Sequence, residues 1–216
     1  MEKSHKLLDN FQQFVSGGIY GILSVFFGML GDLIAYLMYP GYKFTINPVS
    51  SLCNGPGGIY FQVGTVFSGI FAILFVIYFI GSLSETQNAE KIRQVALLTA
   101  LISCTSLIIL GVFCGTEPTI ALIHGVSAVI SWIFGICYIT LFNILILKNP
   151  KYSKSVAYFG FGVSIMLSVM VLMFFLYYFF GLHIVIIILP LLEWIDTIIL
   201  TILYLVISAF IIIKKI

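Results

Sequence analysis

The chain reads as an all-α polytopic membrane protein, a bundle of six transmembrane helices, and three observations predict it. Of its 216 residues 61% are hydrophobic and 8% are charged, with a mean hydropathy of +1.17, whereas a soluble domain carries about 25% charged residues. Six apolar stretches, at about 14–39, 57–81, 92–114, 120–147, 156–182 and 190–213, each come close to the roughly 20 residues that cross about 30 Å of hydrocarbon. These stretches are apolar on every face, whereas barrel strands alternate over about ten residues. Backbone groups in lipid must bond within their own segment, so the stretches are read as helices. One integral membrane domain, 1–216, is expected to be the whole chain.

Basic residues set the orientation. Six spans put the N-terminus, the second and fourth loops and the C-terminus on one side, with Lys3, Lys6, Lys91, Arg93, Lys148, Lys151, Lys154, Lys214 and Lys215. The other side has Lys43. This asymmetry predicts cytoplasmic N- and C-termini and a multi-pass protein of the cell membrane. The net charge of +2 therefore reflects topology, and the expected partners are membrane lipids, with no nucleic acid. The first span is longer than a signal-peptide h-region of about 7–15 residues and no A-x-A-like site follows it, so it should be retained.

Residues 1–13 form a charged arm. In the first span Gly17, Gly21, Ser24, Gly28, Gly31 and Ala35 recur every three or four residues. This makes a smooth face suited to close helix packing, within the chain or between two copies in a homo-oligomer. Asp32 lies beside that face, and a carboxylate inside a span is a functional candidate by default. Loop 1, about 40–56, holds Asn47, Ser50 and a Gly-Pro-Gly-Gly turn, the composition of a defined cap.

The second span starts near Tyr60, Phe61 and Gln62 and breaks at Gly81. The next connection is the most hydrophilic, and Glu90, Lys91 and Arg93 suit an interfacial helix start. Ser103, Thr105 and Ser106 in the third span are expected to bond their own backbone. At 115–118 a Gly-Thr-Glu-Pro reversal offers Thr116 or Glu117 as cap for the fourth span, with Pro118 in its first turn. His124 lies seven residues beyond Glu117 on nearly the same face, which Ser127 and Ser131 continue. The basic turn after the fourth span anchors orientation. The aromatic end of the fifth is read as lipid-facing bulk and an interfacial belt. If Pro190 opens the last helix, Glu193 and Asp196 sit near its N-terminus; if the helix starts near Ile184, Asp196 is deeper.

At 1.5 Å per residue, Asp32, His124 and Asp196 all fall about 9–10 Å below the outer edge. Glu117 and Glu193 form a shallower rim, with Asn47, Ser50 and Asn54 over it. The set Asp32, Glu117, His124, Glu193, Asp196, Asn47 and Ser50 could bind a lipid headgroup, a small ligand or a cation. His124, Asp32 and Asp196 are also ligand types suited to a divalent metal as cofactor. The same groups could equally bond one another and loop 1 simply to fix packing.

No H-E-x-x-H or G-x-S-x-G motif occurs. Gly31 and Asp32 match only a fragment of an intramembrane aspartyl protease site. No intramembrane lysine is present for a Schiff base, and His124 has no buried histidine partner for haem. Cys104 and Cys137 lie within spans as small hydrophobes. Cys53 and Cys114 should both reach the oxidising side and are expected to form a disulfide.

Several of these residues carry a resemblance: Asp32; Tyr39, Pro40, Gly41 and Tyr42 at the exit of the first span; the loop 47–52 with Ser50; the start of the second span at 57–64 with Phe61; His124; and Leu191, Leu192 and Glu193 ahead of the last span. Together they resemble the six-span prokaryotic proteins known as domain of unknown function 998 and, more distantly, the DRAM-type six-span proteins. The resemblance implies the six-span fold over nearly the whole chain and implies no activity. Trp194 stands where the pattern leads one to expect an arginine, which removes a counter-ion for the acids.

Three functions are consistent with these residues. The first is a non-enzymatic protein with an outer-facing polar pocket. The second is a membrane-embedded, metal-assisted hydrolase or transferase acting on lipid. The third is an ion or proton pathway, for which Asn143 is the one strongly polar residue in the inner half of the fourth span.

Overall fold

The computed structural model describes residues 16–83 and 89–215, and every regular element among them is helical. The long helices are α1 Gly18–Leu37, α2 Gly58–Ser82, α3 Glu90–Val112, α4 Pro118–Lys148, α5 Lys154–Phe180 and α6 Leu189–Lys214. All six are long and apolar enough to span a membrane, and each ends within a few residues of its expected limits. The N-terminal arm with Lys3 and Lys6, and Glu85 in the second loop, lie outside the described residues.

Local chemistry explains the ends. Glu117 caps α4, accepting the Ile120 N–H at 3.0 Å, and Pro118 occupies the first turn, where its missing N–H has no helical partner to lose. Ser153 caps α5 through the Ser155 N–H at 3.3 Å. Gly181 ends that helix in the left-handed region at φ +62°, which favours glycine. Pro190 lies in the first turn of α6, so the helix takes the register that places Glu193 and Asp196 near its start.

Each helix packs on the next in sequence, and α6 closes on α1, so the six form a ring. The small residues of α1 make two of its seams. A Cβ on Gly31 would stand 2.6 Å from the Tyr60 carbonyl oxygen and 2.9 Å from the Gly64 Cα, while one on Gly21 would meet the Ser208 hydroxyl of α6 at 2.0 Å. At these two seams the small residues of α1 pack within the chain. The opposite side of α1 exposes Ile22, Phe26, Leu30, Leu33 and Leu37, as a lipid-facing surface should.

The ring holds two apolar cores. One fills the end where Gly18 and Lys214 lie, with Phe75, Phe79, Tyr138, Phe142 and Tyr204 buried at its centre. There the Tyr138 and Tyr204 hydroxyls pair at 3.2 Å, and Phe79 meets Phe142 edge to face with centroids 5.0 Å apart. The other core, with Ala35, Tyr42, Leu52, Phe61 and Trp194, lies under loop 1.

Replacing Gly31 with leucine is expected to lower the unfolding midpoint of the detergent-solubilised protein by the equivalent of about 1–3 kcal/mol, the usual cost of overpacking. Gly125→Ala, where an added Cβ meets nothing within 4 Å, should leave the midpoint unchanged.

Candidate functional site

Between the two cores lies a cavity of about 200 Å³, running from Ser50 and Glu193 beneath loop 1 to Tyr138, Leu167 and Tyr204 at the aromatic plug. Asp32 of α1 and Glu193 and Asp196 of α6 line it. Counting from the loop-1 ends of their helices, Asp32 lies about 8 Å and Asp196 about 10 Å in, so two of the three groups expected at one level line this cavity. Asp32 is 8% exposed and Asp196 4%. Neither carboxylate oxygen of Asp196 has a hydrogen-bond partner among the described residues.

Glu193 has a partner in the backbone. Its Oε1 accepts the Ser50 N–H at 3.0 Å, which ties loop 1 to the start of α6. Ser50 sits in the short 3-10 helix Val49–Asn54, and that helix is held by a further network. The Trp194 Nε1–H donates to the Tyr42 hydroxyl at 3.0 Å and to the Asn47 carbonyl at 3.3 Å. Tyr42 in turn donates to the carbonyls of Asn47 and Pro48 at 2.9 and 2.8 Å. Burial pushes the Tyr42 phenol up to about 12, so it remains an O–H donor at neutral pH. The Asn47 side chain does not reach the cavity; its Oδ1 accepts the Lys43 N–H at 3.0 Å and closes a turn.

The opposite flank of loop 1 is covalently held. Cys53 and Cys114 are joined as a disulfide, with Cα atoms 5.8 Å apart. Cys104 and Cys137 are free.

His124 departs from its expected place. Its Nδ1 lies 3.1 Å from the Leu110 carbonyl and 3.0 Å from the Phe113 carbonyl, so the ring donates to the C-terminal end of α3. The last carbonyls of a helix lack helical partners, and satisfying them turns His124 away from Asp32 and Asp196; it does not line the cavity. Glu117 also stands apart, fully exposed in its capping role, with backbone N–H bonds from Ile120 and then Thr119 holding its carboxyl below the ordinary 4.5. A depressed folded-state value makes that cap a contributor to stability at higher pH, lost as pH falls through it. Among the described residues no three of His, Cys, Asp and Glu stand together as a metal site, so the set His124, Asp32 and Asp196 is not brought together.

The cavity wall is mainly apolar, and hydroxyls that the sequence reading did not assign interrupt it. Ser24 and Ser68 pair at 3.2 Å, and Ser103 donates to the Ser131 carbonyl at 2.8 Å. On α6, Thr197 donates to the Glu193 carbonyl at 2.8 Å, and Thr201 and Tyr204 continue the wall inward. A signal was present: Ser24, Gly28 and Asp32 recur every fourth residue, and Glu193, Thr197, Thr201 and Tyr204 repeat at four, four and three. Each series marks one helix face.

These features define an integral membrane protein of six spans whose helices enclose a carboxylate- and hydroxyl-lined space. The chain belongs to the DUF998 family, described as a protein of unknown function, which matches residues 22–212. Neither a curated protein nor a solved structure matches it.

Thiol titration of the denatured protein should find two reactive cysteines without reductant and four with it; four in both would refute the staple. Trp194→Phe removes the indole donor, at about 1 kcal/mol for a typical hydrogen bond. It should speed hydrogen exchange across 49–54 while leaving the transmembrane helices protected.

Proposed function

We propose that the protein binds the polar head of a membrane-borne ligand in the cavity between cap and plug, without transforming it. Asp196 carries this reading, because its carboxylate is buried, faces the cavity and has no hydrogen-bond donor among the described residues. Burying such a group uncompensated is costly in a span, and a ligand that donates to it removes the cost. Asp32 stands in the same cavity, and Glu193 keeps acceptor capacity beyond its bond to Ser50.

The competing functions have less support. A metal-assisted lipid hydrolase loses His124, which bonds α3 instead. An ion or proton pathway would have to pass the buried Phe75, Phe79 and Phe142. The loop-1 end is taken as the outer side, because Lys91, Arg93, Lys148, Lys151, Lys154, Lys214 and Lys215 lie at the other. The acids of the cavity would then sit in the outer half of the cell membrane.

Native mass spectrometry of protein extracted in mild detergent should show one retained small molecule per chain. Ser68→Phe, which places a ring in the cavity, should remove it. Wild-type protein free of any such adduct in several detergents would overturn the proposal.

A further inference from the structure

We infer that the ligand is a lipid amine, with its ammonium head against Asp32 and Asp196 and its alkyl tail leaving between α5 and α6; this rests on the cavity being a ligand site. The charge follows from the wall. Three carboxyl groups line the cavity and, among the described residues, no Lys, Arg or His does. A phosphate or sulfate head would meet acceptors with no cationic partner. An alkylammonium brings three N–H donors, and its bonds to carboxylates are roughly twice as strong as neutral ones. It also supplies the donors that both oxygens of Asp196 lack among the described residues.

The tail follows from size and from α5. At about 200 Å³ the cavity is smaller than the roughly 300–1,000 Å³ of a site that encloses a drug-sized molecule, so it holds a head and the first few carbons. The remainder needs a way out to the bilayer. Val163, Leu167 and Met170 of α5 are buried against the ring, but no residue from 171 to 180 is. The α5–α6 seam is the sparsest of the six. Leu200 of α6 lines the cavity and is only half-buried. The apolar chain would pass between it and the exposed end of α5, reaching lipid without crossing a polar surface.

The chain has two tryptophans, and Trp132 lines the cavity, so intrinsic fluorescence reports its occupancy. In phosphatidylcholine nanodiscs, dodecylammonium should give a saturable change. Asp196→Asn, close to isosteric, should weaken it at least tenfold, as should Asp32→Asn. Dodecyl sulfate and dodecanol should give no saturable change, and ethylammonium should bind at least tenfold more weakly than dodecylammonium. Equal binding of dodecanol or dodecyl sulfate would overturn the charge assignment while leaving a ligand cavity. Ethylammonium binding as tightly as dodecylammonium would overturn the tail. A saturable dodecylammonium response unchanged in both carboxamide variants would place the amine elsewhere and overturn the inference. Silence from every probe, together with no retained molecule in native mass spectrometry, would overturn the cavity reading as well.

Discussion

An acidic side chain inside hydrocarbon has to be given polar company, and that constraint organises this bundle. Asp32, Glu193 and Asp196 cannot turn outward to acyl chains at tolerable cost, so the helices that carry them must surround a common interior. The ring does this. α1 and α6, the first and last helices, are brought side by side by glycines at positions 18 and 21 packing on Ser208 and its neighbours. Ser24, Ser68, Ser103 and Thr197 complete a polar wall below the acids. The apolar cores are displaced to the two ends, so the polar interior has an aromatic floor and an aromatic roof.

The roof depends on the residue after Glu193. Trp194 supplies an N–H that fastens loop 1 through Tyr42 and Asn47. It also offers an indole edge to Phe44, with ring centroids 4.8 Å apart. The loop so fastened presents the Ser50 N–H to Glu193. The glutamate is therefore compensated by backbone that the tryptophan holds in place, and the cavity is left without a basic group.

The spans were legible in the sequence because hydropathy and length alone dictate them. The start of α6 was left open between Pro190 and Ile184, and the helix begins at Leu189 with Pro190 in its first turn, one of the few places a helix accepts proline. Asp32 and Asp196 were placed near one depth by counting residues, since rise per residue is fixed whatever the packing. Counting fails where rotation matters. His124 has the right depth and the wrong direction, because the unfilled carbonyls at the end of α3 claim its ring, and that competition is invisible until α3 and α4 are side by side. Of the wall's hydroxyls, Ser103 alone is expected from the sequence to bond its own backbone. Ser103 indeed donates to a carbonyl, but to that of Ser131 on the next helix. Ring closure of α6 on α1 has no local signature, because the residues that make it are almost the full length of the chain apart.

The fastening of loop 1 is uneven, and the unevenness has a direction. On the flank of α2 and α3 a covalent bond joins Cys53 to Cys114; on the flank of α6 the loop is held by hydrogen bonds from Ser50 and Trp194 and by ring contacts. A strain that lifted the roof would part the weaker side first, with the disulfide as its hinge and the α6 flank as its latch. Oxidation would then do more than add rigidity: it would choose the edge that yields, the one above the acids.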